Sequence, residues 1–162
     1  MKQSLESRVW RWFANWYPAY RGSGARIHFV AHDFRHVIVR LPCNWRTKNH
    51  MGITWGGSLY AALDPIYAIM LNKNLGWHYR VIDSAASIEF LKPGKQTLFA
   101  HFTLSAEQIE QVRHALLHNA KTQLELKVSL QDTDGQVYVN CYKTLHINHK
   151  FPLEVSNQEL SR

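Results

Sequence analysis

The stretch NHMGITWGGSLYAALDPIYAIML, residues 49–71, decides how the rest of the chain is read. It opens polar and turn-prone and reaches the pair Gly56-Gly57. Beyond the pair it becomes a helical pattern that is apolar on nearly every side, from Leu59 through Leu63 and again from Ile66 through Met70. A helix that is hydrophobic all round is a buried one. Asp64 sits in its middle. A carboxylate in apolar surroundings is costly unless it is paired or hydrogen-bonded, which makes Asp64 a candidate functional residue. Pro65 follows immediately and cannot donate to the carbonyl of Ala61, so the helix is expected to kink or lose regularity at the carboxylate. Asn72, Asn74 and Gly76 then end it. The glycines at its start let a ligand approach backbone N–H groups that lack an intrahelical partner.

Upstream, residues 4–17 place Leu5, Val9, Trp12, Phe13 and Trp16 at helical spacing on one side. This amphipathic helix is expected to dock on the domain through that aromatic side. A membrane-surface helix and a lid over an apolar ligand are the alternatives. Pro18 and Gly22-Ser23-Gly24 close it. Two short alternating patterns follow at 26–31 and 36–41, joined by a turn at His32-Asp33.

Downstream, four longer patterns alternate with period two. Residues 78–91 set Ile82, Ala86, Ile88 and Phe90 on one face, and 96–104 set Leu98, Ala100, Phe102 and Leu104. Residues 121–131 and 136–147 continue the series across Asp134-Gly135, a tight hairpin signal. In the last of them Val137, Val139, Cys141, Leu145 and Ile147 alternate with polar residues. Between the second and third patterns, Ser105 and Gln108 form a capping box for a helix with Ile109, Val112, Leu116 and Leu117 on one side. Period-two alternation means an antiparallel sheet with one face covered. The expected class is α+β: a curved antiparallel sheet wrapped around one long central helix, with a peripheral N-terminal helix. The division is 1–19 for that helix, 20–150 for the domain and 151–162 for a tail.

The chain has 162 residues, enough for one domain with a real core. Lys and Arg number 19 against 12 Asp and Glu, a net charge of +7 that suits an anionic partner. The basic residues form no run, which argues against nucleic acid. No apolar run approaches the ~18 residues a membrane span needs, and no signal peptide is legible, so a cytoplasmic protein without membrane insertion is expected. Cys43 and Cys141 make no disulfide framework. His114 and His118 are four apart without a glutamate between them, and His28, His32 and His36 lack acidic or cysteine partners, so neither metal nor cofactor is expected.

The helix after two strands, gripped by further antiparallel strands, resembles the hotdog fold. It is most similar to the small acyl-CoA thioesterases of the phenylacetic-acid-pathway type and their uncharacterised relatives. The residues that carry the likeness are Asn49, the run from Gly56 to Asp64, the strand and turn Phe90-Leu91-Lys92-Pro93-Gly94, and Asp132-Thr133-Asp134-Gly135. The resemblance implies a catalytic set of Asp64 as base or nucleophile, the Gly57 N–H as oxyanion donor, and Asn49 placing the water or thioester. It puts Trp55, Gly56, Ser58, His50 and Lys92 around the substrate, an acyl-CoA or acyl-carrier thioester. It also implies a homodimer or homotetramer with sites at the dimer interface. Trp55 stands where many active members carry histidine. That substitution and Pro65 motivate the alternative of a non-catalytic acyl-CoA-binding protein, with a hotdog dehydratase as a further one.

Overall fold

The computed structural model describes residues 2–150. Helix α1 (Leu5–Trp16) and the short α2 (Pro18–Gly22) precede β1 (Arg26–Val30) and β2 (His36–Leu41). Helices α3 (Gly56–Ala61) and α4 (Ile66–Leu75) follow, then β3 (Tyr79–Phe90), β4 (Leu98–Thr103), α5 (Ala106–His118), β5 (Lys121–Gln131) and β6 (Val137–His149). Six strands form one curved sheet in the order β1-β2-β4-β5-β6-β3, and every neighbouring pair is antiparallel. This is the hotdog architecture expected from the sequence. The tail assigned to 151–162 lies outside the described residues.

The central helix is in two pieces. Residues 62–65 leave the helical path, and the Asp64–Pro65 peptide is cis. Pro65 has no N–H to offer the preceding turn, so a gap where a kink was expected follows from its chemistry. The gap frees backbone carbonyls that need partners. The buried Tyr20 hydroxyl of α2 donates to one of them, Ala62 O, at 3.1 Å. Around the gap the helix packs as its pattern requires: Leu59, Ala62, Leu63, Ile66, Met70 and Leu71 are buried against Val37, Val39, Ala100, Phe102, Leu130 and Leu145 of the sheet. Gly76 closes α4 at φ 100°, a conformation that favours glycine.

Local signals elsewhere hold. Ser105 and Gln108 form the capping box, with mutual bonds of 2.9 and 3.1 Å. Ile109, Val112 and Leu116 of α5 are buried as expected, whereas Leu117 points to solvent. Gly135 takes φ 81° in the hairpin, and Asp132 Oδ1 accepts from the N–H groups of Asp134 and Gln136.

Two expectations need correction. The aromatic side of α1 does not dock: Leu5, Val9, Trp12, Phe13 and Trp16 are each 58–77% exposed. The helix is held by its other side. Asn15 Nδ2 donates to Ile27 O at 2.9 Å while its Oδ1 accepts from Ile27 N at 2.8 Å, and Arg11 donates to His28 O at 2.6 Å. These bonds cover the open backbone of edge strand β1, where unpaired polar groups need partners. The second correction concerns β3. A bulge between Asp83 and Ala85 shifts its register against β6. Ala86, Ile88 and Phe90 lie across from Lys143, Cys141 and Val139, but Ile82 falls on the other face, opposite His146, and is exposed. Val81 and Asp83 take the inward positions instead, because one extra residue flips every later side chain.

Candidate active site

The bulge has a chemical consequence. It turns Asp83 toward the helix, next to Lys143 of β6. Lys143 occupies an inward slot between Cys141 and Leu145, and its side chain is 0% exposed. Its ammonium donates to Asp83 Oδ2 as an ion pair and to Asp64 Oδ1 at 3.2 Å. The result is a buried cation bridging two carboxylates from the sheet and the helix gap. It lies 5.8 Å from the Tyr60 ring centre. Asp64 is less buried than its sequence setting implied, with its side chain 49% exposed against 18% for Asp83. Asp64 sits in the gap beside Pro65, outside the helical ladder. One oxygen of Asp64 is anchored on Lys143 while the half-exposed group remains open to a ligand.

The electrostatics follow the geometry. Burial works against the Lys143 ammonium, but the hydrogen bond and charge of Asp83, joined by those of Asp64, outweigh it and hold the group above the ordinary lysine range. Burial pushes the Asp83 carboxyl above the ordinary carboxylate range; Lys143 opposes that rise and Asp64 adds to it. Asp83 Oδ1 is buried and has no hydrogen-bond partner among the described residues. Tyr20, beside the gap, is pushed well up by burial, with Arg26 pulling down and Asp64 adding to the rise, so its hydroxyl stays a donor. Tyr20→Phe removes that donor and leaves Ala62 O buried and unpaired. The expected cost is about 1–3 kcal/mol, read as a lowered urea midpoint with an unchanged slope.

Asp64 borders a cavity of about 380 Å³ between α1, α2 and the central helix. Trp10, Phe13, Tyr17, Ile27, Ile66 and Ile69 contribute apolar walls, with Pro65 beside the carboxylate. The volume falls within the span of small-molecule sites, about 300–1,000 Å³.

The other expected site residues gather elsewhere. Asn49, Gly56 and Lys92 line a separate groove of about 290 Å³ with Phe90, Pro93 and Gly94. Asn49 Oδ1 holds its own loop, accepting from Met51 N and Ile53 N at 2.9 and 3.3 Å, which leaves its amide nitrogen for a ligand. Lys92 donates to Gln136 at 2.7 Å. His50 is exposed on the loop, and Ser58 is buried behind the helix start. Trp55 covers Gly57, where an added Cβ would meet the indole ring at 2.5 Å. Trp55 also provides no side-chain cap, so the first N–H groups of α3 lack a side-chain partner from that position. Asp64 does not line this groove. It lies beyond the end of α3, in the gap that separates the two helical pieces.

Lys143 and Asp83 were missed in the sequence. The signal for Lys143 was present, because a lysine interrupts an otherwise apolar inward series, 137, 139, 141, 145, 147. Asp83 gave none, since its inward aim depends on the bulge.

Comparison with solved structures places this architecture among known proteins. A Pseudomonas aeruginosa protein of unknown function, described as a probable thioesterase, superposes with a TM-score of 0.79 at 21% identity, over 91% of this chain and 98% of that one. A Haemophilus influenzae thioesterase gives 0.69 at 13% identity, over 94% and 97% of the two chains. A mutant thioesterase from Pseudomonas aeruginosa gives 0.67 at 12%, over 92% and 96%. At these identities the likeness establishes the fold. Comparison with curated protein sequences gives no significant match. The family model described as a domain of unknown function, DUF4442, matches residues 6–147, so this hotdog-fold chain belongs to that family.

Proposed function

We propose that this chain hydrolyses acyl thioesters, with Asp64 as the catalytic carboxylate. The observation that carries the reading is the Asp64 carboxylate, anchored on buried Lys143 and open toward an apolar cavity of ligand size. The acyl group occupies that cavity and the carrier, coenzyme A or a carrier protein, stays at the basic surface. Asp64 accepts a proton from water as the water oxygen bonds to the thioester carbonyl carbon. The carbonyl oxygen takes up negative charge and is met by backbone N–H at Gly57. Collapse breaks the C–S bond, and the sulfur leaves as thiol after taking the proton from Asp64. General-base help of this kind adds about 10²–10⁴-fold, and an oxyanion donor contributes about 3–4 kcal/mol.

Asn49 and Gly56, which precedes Gly57, line the groove at the start of α3, while Asp64 borders the cavity. A second copy pairing through β3 would bring the two sides together. β3 is a terminal strand of 12 residues, and it leaves Ile82 and Phe90 exposed. An open edge of that length is a template for pairing. The reading is therefore a homodimer, or a dimer of dimers, in which groove residues of one copy complete the carboxylate of the other.

A binding protein without turnover is the second reading, and the Trp55 indole over Gly57 favours it. Thiol release from short, medium, long and aromatic acyl-CoAs, and from acyl-pantetheine as the carrier-protein mimic, separates the two. Release from at least one class supports the hydrolase. Tight binding with no release anywhere in the panel contradicts it.

A further inference from the structure

We infer that the exposed face of α1 docks the protein on an anionic phospholipid surface, with the helix lying in the plane of the interface. The face runs the length of a 12-residue helix, about 18 Å, and consists of Leu5, Val9, Trp12, Phe13 and Trp16. The Trp12 and Trp16 rings lie 6.0 Å apart. A contiguous apolar stripe of this size marks an interaction surface. Its orientation is forced from behind, because Arg11 and Asn15 bind the β1 backbone and leave the apolar side nowhere to go but outward.

The charge around the stripe selects the partner. Arg8 lies one turn before Trp12 and is exposed. Arg21 sits over the Trp16 ring at 5.0 Å. Arg46 donates to Arg21 O at 3.3 Å, which holds its guanidinium beside Arg21. Arg26 joins them: burial first, then the charges of Arg46 and Arg21, draws its guanidinium down from the ordinary arginine value. Among the described residues none of these arginines has an ion-pair partner, while the one acid of α1, Glu6, is taken by Lys73. Tryptophans and aliphatics on one face with a rim of arginines free of ion pairs are the composition of interfacial helices, and basic groups near the surface draw such a helix to anionic lipid. No helix among the described residues is long and apolar enough to cross a membrane, so α1 lies on the surface. Phe13 belongs to both the stripe and the cavity, so the cavity opens beside the proposed lipid contact.

This inference does not rest on the thioesterase reading, and its test reads binding alone. The full chain is sedimented with vesicles of phosphatidylcholine, and with vesicles of equal parts phosphatidylcholine and phosphatidylglycerol. Binding to the anionic vesicles, weakened by salt, is expected. Val9→Asp/Trp12→Asp alters two exposed side chains and should lower the partition at least about tenfold with the fold intact by circular dichroism. Arg21→Gln/Arg46→Gln should lower it less and flatten the salt dependence. Leu117→Asp on α5 should leave it unchanged. Failure of the wild type to sediment with anionic vesicles overturns the inference. So does unchanged binding by Val9→Asp/Trp12→Asp, or an oligomer that this variant dissociates while vesicle binding is absent, which would assign the face to a second copy.

Discussion

Lys143→Met is expected to destabilise the fold by about 3–5 kcal/mol. The substitution keeps the side-chain bulk but removes the only cation bridging Asp64 and Asp83 among the described residues. Asp83 then stays largely buried without its cation, and its Oδ1 already lacks a partner. Breaking one side of a buried pair costs far more than the pair itself contributes. Most of the loss comes from the Asp83 end, because the half-exposed Asp64 end is screened by water. Against a domain stability of about 5–15 kcal/mol, the effect is large. Lys143→Met/Asp83→Leu replaces charge with apolar volume and is expected to recover most of it, yet to leave Asp64 without its anchor and turnover low. Urea midpoints at constant slope read the stability. A shift below about 1 kcal/mol for Lys143→Met would show that the bridge is not buried as described. The pH dependence has a fixed sign. Lys143 is raised in the folded chain, so its contribution is complete below the ordinary lysine value of 10.5 and is lost only as pH rises through the higher folded value.

Asp64→Asn is expected to cut thioester turnover by about 10²–10⁴-fold while leaving the fold in place. The amide matches the carboxylate in shape and can still accept from Lys143 through its oxygen, so the anchor survives as a neutral hydrogen bond. What disappears is the base. Because the side chain is half exposed, the stability change should be small, about 1 kcal/mol or less. A loss of turnover without loss of stability separates a chemical role from a structural one. Lys143→Met moves both, which marks Lys143 as a positioning residue.

The fold was legible in the sequence to an unusual depth, because nearly every local signal agreed with the tertiary arrangement. Period-two alternation located all six strands, and the Ser105-Gln108 box and Asp134-Gly135 turn fell where expected. Asp64 and Pro65 marked the helix gap. What escaped reading was whatever depended on a register or on a choice of face. The bulge at residues 83–85 reversed the face of Ile82 and turned Asp83 inward, and no local pattern announces a bulge. Lys143 was visible as a misplaced charge in an apolar series, but its purpose appears only once Asp83 and Asp64 converge on it. For α1 the amphipathic pattern was correct and its direction was not. Hydrophobic periodicity says that a face must be covered, not by what. The bonds from Asn15 and Arg11 to the β1 edge decide the matter, and they come from the polar side.

The most direct test of the account compares initial rates of thiol release for wild type and Asp64→Asn, with a wild-type substrate from the acyl thioester panel, at matched folding and oligomeric state. A rate at least about a hundredfold lower is expected for Asp64→Asn. Equal rates in the two proteins would contradict it and would move the chemistry away from Asp64.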